Sequence, residues 1–469
     1  MRQMKLNWMC GIVALALWAP VAWSQTAGSS TVSTNVPGWV TRPLSLVDAL
    51  NLVLQQNGTL LKARKDLEAN HGIVVQTRAV VLPSVQVTSG FNAVSQNSID
   101  IAALPPPLGS FQLGQDQSWN AQVRVVQSIY EGGRMLSALR TARLTNEQAV
   151  LAYRTAVSDT LLAARISYYD VLLARQQIVV NEASVELLTK ELEDQQRRFD
   201  AGTVPRFNVL RAEVALANAR PALIRARNDY RVAKNNLSNI LGYNLPREIW
   251  DDIPLQLTDR LVAQPYQIDL PSAISQALER RTELAALRKG EQLQEEAVVN
   301  ARSGYKPSVQ VYGGYGDKSS EFSTDLTVER HGWLAGAQLS WNLFDGMATI
   351  GRVQTAKALR DKSKTEVDDT SRRIELEVRT AYSSFVQARE VLESQEKVQE
   401  EAEEALRLAK ARADAGTGTQ LDVLDAETSL TQARTTQSEA LHGYATARAR
   451  LERAIGQDLA PATEGRKAE

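Results

Sequence analysis

Two stretches of the chain, residues 134–199 and 349–413, carry apolar residues at heptad-like spacing. The first has Leu161, Leu162, Tyr168, Tyr169, Leu172 and Leu173; the second has Val391, Val398, Ala402, Ala405 and Ala409. Neither contains proline, and both are rich in strong helix formers, so each predicts one uninterrupted helix. About 65 residues at 1.5 Å each span roughly 100 Å, more than twice the ~45 Å width of a globular domain of this size. Helices of that length exclude a compact single-core fold. Shorter helices are predicted over 46–81, 208–241, 270–301 and 421–455, each about half as long, so that two placed end to end flank one long helix. Many contact positions are alanine, which lets helices approach closely. Such thin stripes predict burial against neighbouring subunits as well as within the chain.

Between the helices the period changes to two. Trp119, Ala121, Val123 and Val125 alternate with Asn120, Gln122 and Arg124; Trp333, Ala335, Ala337, Leu339 and Trp341 alternate with Gly336, Gln338, Ser340 and Asn342. Partner strands begin with Val85 and Val87 against Gln86 and Thr88, and with Val309 and Val311 against Gln310 and Tyr312. Apolar-out, polar-in alternation with tryptophans toward the ends is the pattern of an outer-membrane barrel strand. A soluble sheet with one solvated face gives a similar alternation. Four strands cannot close a membrane barrel, for which the smallest number is about eight, and open edges in lipid leave backbone groups unpaired. The chain must therefore pool strands with copies of itself.

The elements come twice. RFDAGTVPRFNVLRAEVAL from Arg198 and RADAGTGTQLDVLDAETSL from Arg412 align without a gap at an offset of 214, with ten of nineteen positions identical. Trp119 and Trp333, Gly132 and Gly346, and Gly242 and Gly456 keep that offset, whereas Pro83-Ser84-Val85 and Pro307-Ser308-Val309 stand 224 apart. The slip falls on a loop insertion in the first copy, within 98–113. The organisation read from this is a first repeat over 25–243, a linker over 244–267 containing Pro246, Pro254 and Pro265, a second repeat over 268–456, and a tail over 457–469.

Composition adds compartment and exclusions. Arg2 and Lys5, the apolar run Gly11–Val21 and then Ala22-Trp23-Ser24 form an export signal, 1–24, with cleavage expected after Ser24. Cys10, the only cysteine, leaves with it, so neither a disulfide nor a thiolate metal site is expected. No second run of 18 or more uncharged apolar residues marks a transmembrane helix. A net charge of −1 from 53 basic and 54 acidic residues argues against a nucleic-acid partner. His71, His331 and His442 are isolated in sequence, and no phosphate-cradling loop, GxSxG or paired-histidine motif occurs, so neither a metal, another cofactor nor an enzymatic activity is expected.

The long helices, duplicated strand pairs and export signal, with the turns Ala201-Gly202-Thr203 and Ala415-Gly416-Thr417 and the run Asp422–Ala426, give a chain that resembles the TolC family of outer-membrane efflux proteins. The resemblance covers nearly all of the mature chain. It implies a mainly α fold with a small β part, built as a homotrimer. Four strands per chain would contribute to a twelve-stranded barrel in outer-membrane lipid, and the long antiparallel coiled-coil helices would form a periplasmic α-barrel. The linker would lie in the family's equatorial belt. It further implies an exit duct of a tripartite efflux or type I secretion system, opened by a periplasmic adaptor and an inner-membrane pump of the RND or ABC type. Asp422 and Asp425 would line the periplasmic mouth, six carboxylates in a trimer, favouring cations and raising some of the carboxyl pKa values. Gly202, Thr203, Gly416 and Thr417 would be adaptor contacts. Trp119, Val123, Trp333, Ala337 and Trp341 would face lipid.

Several of these residues have plainer readings. Thr419 and Asp422 can form a capping box, which leaves Asp425, one turn on and on the same face, unexplained. In the first copy Asn208 stands where Asp422 does and Arg211 where Asp425 does, so Arg211 is a candidate latch onto either aspartate. Pro221, opposite Thr435, predicts a local kink. The rival function is an exported coiled-coil scaffold whose strands are soluble. Substrate class is not legible.

Overall fold

The computed structural model describes residues 42–94, 117–243, 253–319 and 325–457. The export signal, the first-copy insertion, Pro246 and the tail from residue 458 lie outside the described residues. One order of elements appears twice. The first is α1 (Leu46–Gln56), α2 (Gly58–Ala79), β1 (Ser84–Ala93), β2 (Gln117–Glu131), α3 (Arg134–Asp200) and α4 (Arg206–Ile240). The second is α5 (Leu270–Arg280), α6 (Thr282–Arg302), β3 (Ser308–Ser319), β4 (Glu329–Ser340), α7 (Ala348–Asp414) and α8 (Gln420–Ile455).

Both long helices have 67 residues, within two residues of the heptad-based expectation at each end. Each starts after a turn with a left-handed glycine, Gly132 at φ 62 and Gly346 at φ 65, a region open to glycine for want of a Cβ. Helix α4 runs through Pro221 without interruption.

The expected helices 46–81 and 270–301 are each broken once. Asn57 and Arg281 take extended backbone, ψ 126 and 121, and stand 224 residues apart, the offset of the N-terminal part of the repeat. Asn57 caps α2 by accepting from the amides of Thr59 and Leu60, and its Nδ2 donates to the Ile240 carbonyl at 2.7 Å. Each break receives the C-terminus of the helix that closes its copy. A Cβ on Gly242 would sit 2.4 Å from the Gln56 carbonyl oxygen, and one on Gly456 would sit 3.2 Å from the Arg281 amide nitrogen.

The helices pack as layers with two open edges. In the half near the α3–α4 and α7–α8 turns the order is α4, α3, α8, α7; in the half near the strands it is α2, α3, α6, α7. The four strands form one antiparallel sheet in the order β1-β2-β3-β4, so β1 and β4 are its edges. Pairing of β2 with β3 joins the two strand pairs, with a bulge between Ser128 and Tyr130.

Two apolar clusters sit midway along the molecule. One joins α1, α3 and α4 around Tyr168, Leu161, Leu237 and Leu241; the other joins α5, α7 and α8 around Phe385, Leu451 and Ile455. The described part of the linker wraps across both. Leu44 and Leu257 form a parallel bridge, Arg175 donates to the carbonyls of Leu257 and Asp259, and the Tyr444 hydroxyl donates to the Gln264 carbonyl. Among the described residues no helix is long and apolar enough to cross a membrane.

Candidate functional site

The two tight turns at the far end from the sheet are built alike. Gly202 (φ 73) and Gly416 (φ 71) end α3 and α7 in the left-handed conformation. The Thr203 amide bonds the Arg198 carbonyl and the Gly202 amide the Phe199 carbonyl; Thr417 and Gly416 repeat this on Arg412 and Ala413. Both amides of this Schellman cap thereby satisfy last-turn carbonyls. The hydroxyls of Thr203 and Thr417 also donate to the Arg198 and Arg412 carbonyls, at 2.8 and 3.2 Å. Helix termination therefore accounts for the Gly-Thr pairs, and all four residues are exposed.

At the start of α8 the capping box is complete. The Asp422 carboxylate accepts from the Thr419 amide at 2.8 Å and hydroxyl at 2.9 Å, and the Asp422 amide donates to the Thr419 oxygen at 3.3 Å. These bonds stabilise the carboxylate, and Asp422 is held below its ordinary carboxyl pKa, the opposite within one chain of the upward shift expected from crowding. Asp425 lies one turn on, also exposed, with Val423 and Leu424 buried between them. Its carboxylate has no partner among the described residues. Nor has Arg211, which is half-buried near the start of α4, so no Arg211 latch forms within the chain. The two copies do touch here: Gln420 Nε2 donates to the Asn208 carbonyl at 3.0 Å.

Two charged features at this tip escaped the sequence reading. Arg198, in the last turn of α3, pairs with Asp414 of α7 at 2.7 Å and with Asp194 at 2.6 Å, tying the two turns together. Glu427 is only 3% exposed, at the core spacing set by Val423, Leu424 and Leu430. Lys410 Nζ stands 3.1 Å from its Oε1, within ion-pair range but out of line for a hydrogen bond. Burial pushes the Glu427 carboxyl up, the Lys410 charge pulls it back, and Glu191 across on α3 adds to the rise. A carboxylate at a core position of a heptad stripe was a visible signal; the Arg198–Asp414 pair, 216 residues apart, had none.

In the sheet, register carries one alternation across all four strands. Val87 lies opposite Val123, Val123 opposite Tyr315, and Tyr315 opposite Trp333; Phe91 lies opposite Trp119, and Val311 opposite Ala337. Val85, Val125, Val309 and Leu339 complete an apolar face. Its residues are unusually open for large apolar groups, Val87 at 75% and Trp333 at 80% exposure. Trp119 is half-buried, its indole N–H donating to the Leu326 carbonyl at 3.0 Å. Trp341 lies one residue beyond β4, and its indole N–H reaches the Tyr305 carbonyl at 3.2 Å. His442, far from the sheet, contacts Asp170 at 2.7 Å, while His71 and His331 are exposed.

Comparison with known proteins agrees with this architecture. The family model for outer membrane efflux proteins matches residues 49–243 and 273–457, one match per copy. Outer membrane protein TolC of Vibrio cholerae is 25% identical over 435 residues, covering 90% of this chain and 94% of the relative. The alkaline protease secretion protein AprF of Pseudomonas aeruginosa is 25% identical over 413 residues, covering 87% and 83%. Among solved structures, the Campylobacter jejuni CmeC outer membrane channel superposes with a TM-score of 0.74 at 17% identity, over 88% of this chain and 85% of that one.

Proposed function

The chain belongs to the outer membrane efflux protein family, and from that premise we propose that it works as a homotrimeric, gated exit duct with no catalysis of its own. The observation that carries this is the set of open edges. β1 and β4 end the sheet, α2 and α7 end one helical layer, and α4 and α7 end the other. Pairing of one edge with the opposite edge of the next copy, β1 with β4, α2 with α7 and α4 with α7, around a three-fold axis closes all three layers at once, giving twelve strands and twelve helices. Exposed apolar residues on α4 follow a heptad, Phe207, Leu210, Val214 and Ile224, and α7 offers Val391 and Val398. In that closure the apolar face of the sheet meets lipid and the polar face lines the lumen, where backbone groups are all paired. A soluble scaffold has no use for an apolar face so open to solvent.

The acids at the start of α8 are proposed as the gate. Asp425, without a partner in its own chain, and Asp422, whose lowered pKa keeps it charged, would crowd at the narrow end in three copies. Arg211 then finds its counter-charge across the subunit boundary, in a pair worth about 0–1 kcal/mol at an exposed site, weak enough for a partner to open. The Gly202-Thr203 and Gly416-Thr417 turns are the proposed adaptor contacts, since they are the outermost backbone at that end. Driving energy is proposed to come from an inner-membrane pump. Planar-bilayer recordings test the gate. Asp422→Ala with Asp425→Ala is expected to lower cation preference, and Arg211→Ala to raise resting conductance at unchanged trimer yield. Unchanged ion selectivity in the double variant would remove the aspartates from the gate.

A further inference from the structure

The polar face of the sheet is not charge-neutral. Arg124 on β2, Lys318 on β3 and Arg330 on β4 all lie on it, and Lys318 and Arg330 are direct cross-strand partners. The acids of the same strands point the other way. Asp317 and Glu329, each adjacent in sequence to one of these cations, fall on the outer face. Glu131 shares the polar face but sits at the helix-proximal end of β2, where it engages Arg134 at 3.3 Å and Ser128 at 2.7 Å. At the end of β3 and the start of β4 charge is therefore sorted by face, with Lys318 and Arg330 inward and Asp317 and Glu329, beside His331, outward.

The cations line a concavity of about 480 Å³, to whose rim Asp317 and His331 also contribute. Its floor is glycine: Gly314 opposite Arg124, Gly316 opposite Gln122, and Gly332 opposite Gly316. A Cβ on Gly316 would come 2.7 Å from the Gln122 Cβ, while one on Gly332 would meet nothing within 4 Å. Glycine thus keeps the backbone bare beneath the cations. Arg124 lies 4.1 Å from the centre of the Tyr312 ring, and its Nε is buried without a hydrogen-bond partner. The ring contact restrains the guanidinium, whose N–H fork suits a carboxylate or phosphate. Nearer the helices a second groove of about 850 Å³, walled by Gln310 and Ser340 of the same face, adds Lys306, which makes no ion pair among the described residues.

We propose that the barrel section of the lumen is an anion-binding stretch, in which Arg124 and Arg330 receive carboxylate or phosphate groups of the departing cargo. This rests on the reading of the polar face as the wall of a duct. The conduit is then bipolar, acidic at the helical mouth and basic at the exit, so that a cargo carrying both charges finds a counter-charge at each end. Fixed positive charge on the wall of an enclosed lumen raises the local concentration of anions, an effect that weakens with ionic strength.

The test is block of the full-length protein in planar bilayers by tripolyphosphate added from the barrel side. Voltage-dependent block is expected, relieved by raised salt. In Arg124→Gln with Arg330→Gln the blocking concentration should rise at least tenfold, and the charge-conserving Arg124→Lys with Arg330→Lys should retain most of the block. Conductance with no block, or equal block in the Gln pair, overturns the inference alone. Absence of any conductance overturns the duct reading and this inference with it.

Discussion

At the residue scale, several groups singled out for function are first of all structural. Asp422 completes the α8 cap, and Gly202 and Gly416 supply the left-handed residue that a Schellman turn requires. The roles proposed for them at a gate and a docking surface would be additions to that work. The glycines also separate two kinds of cost. A Cβ on Gly416 meets nothing within 4 Å, so Gly416→Ala should cost only the left-handed strain, about 1–2 kcal/mol. A Cβ on Gly242 would collide with the Gln56 carbonyl at 2.4 Å, and its φ is 81. Gly242→Ala should therefore destabilise distinctly more, because rigid backbone on both sides must move. Thermal unfolding of the two variants checks the ranking; equal losses would mean that the docking of α4 on the α1–α2 break yields freely.

At the scale of elements, both 67-residue helices, the strand alternation and the duplication were legible, since each is a periodic signal repeated over many residues. The breaks at Asn57 and Arg281 were not. The helical pattern runs on across them, and what fixes them is the approach of Gly242 and Gly456, which are distant in sequence. Asn57-Gly58 carried a turn signal that could have been read; Arg281-Thr282 carried none. Helix α4 continues through Pro221, although proline removes an amide donor from its interior. Glu427 gives this scale a pH prediction. Its carboxyl holds a proton more tightly folded than unfolded, because burial outweighs the opposing Lys410, with Glu191 adding to the rise. Stability from that proton is present below the ordinary glutamate value and is lost as pH rises through the raised one. Glu427→Gln should flatten this dependence and raise the unfolding temperature at pH 7 relative to the parent chain. An unchanged pH profile would show that Lys410 fully compensates the buried charge. The strands give a second test. Ala337→Arg, on the apolar face, should cost about 2–4 kcal/mol if it sits at mid-bilayer and should cut membrane yield, whereas the adjacent Gln338→Arg should be tolerated. Equal tolerance would mean the faces have been assigned the wrong way round.

At the scale of the whole molecule, one chain is unfinished everywhere along its length. Its sheet ends in β1 and β4, its helical layers end in α7 on one side and in α2 or α4 on the other, and heptad apolar residues on α4 and α7 face no partner. The sequence pointed to neighbouring copies through the strand count and the thin apolar stripes of the helices. Which helices form the edges follows only from packing, because the order α4-α3-α8-α7 is not the order of the chain. Asp425 and Arg211 have no side-chain partner among the described residues, and in the proposed trimer a neighbouring copy would bring one. The measurement that bears most directly on this account is the mass of the full-length protein extracted from outer membranes in mild detergent, by native mass spectrometry. The account predicts a single species of three chains that keeps its helical content. A monomer with the same helical content would contradict it.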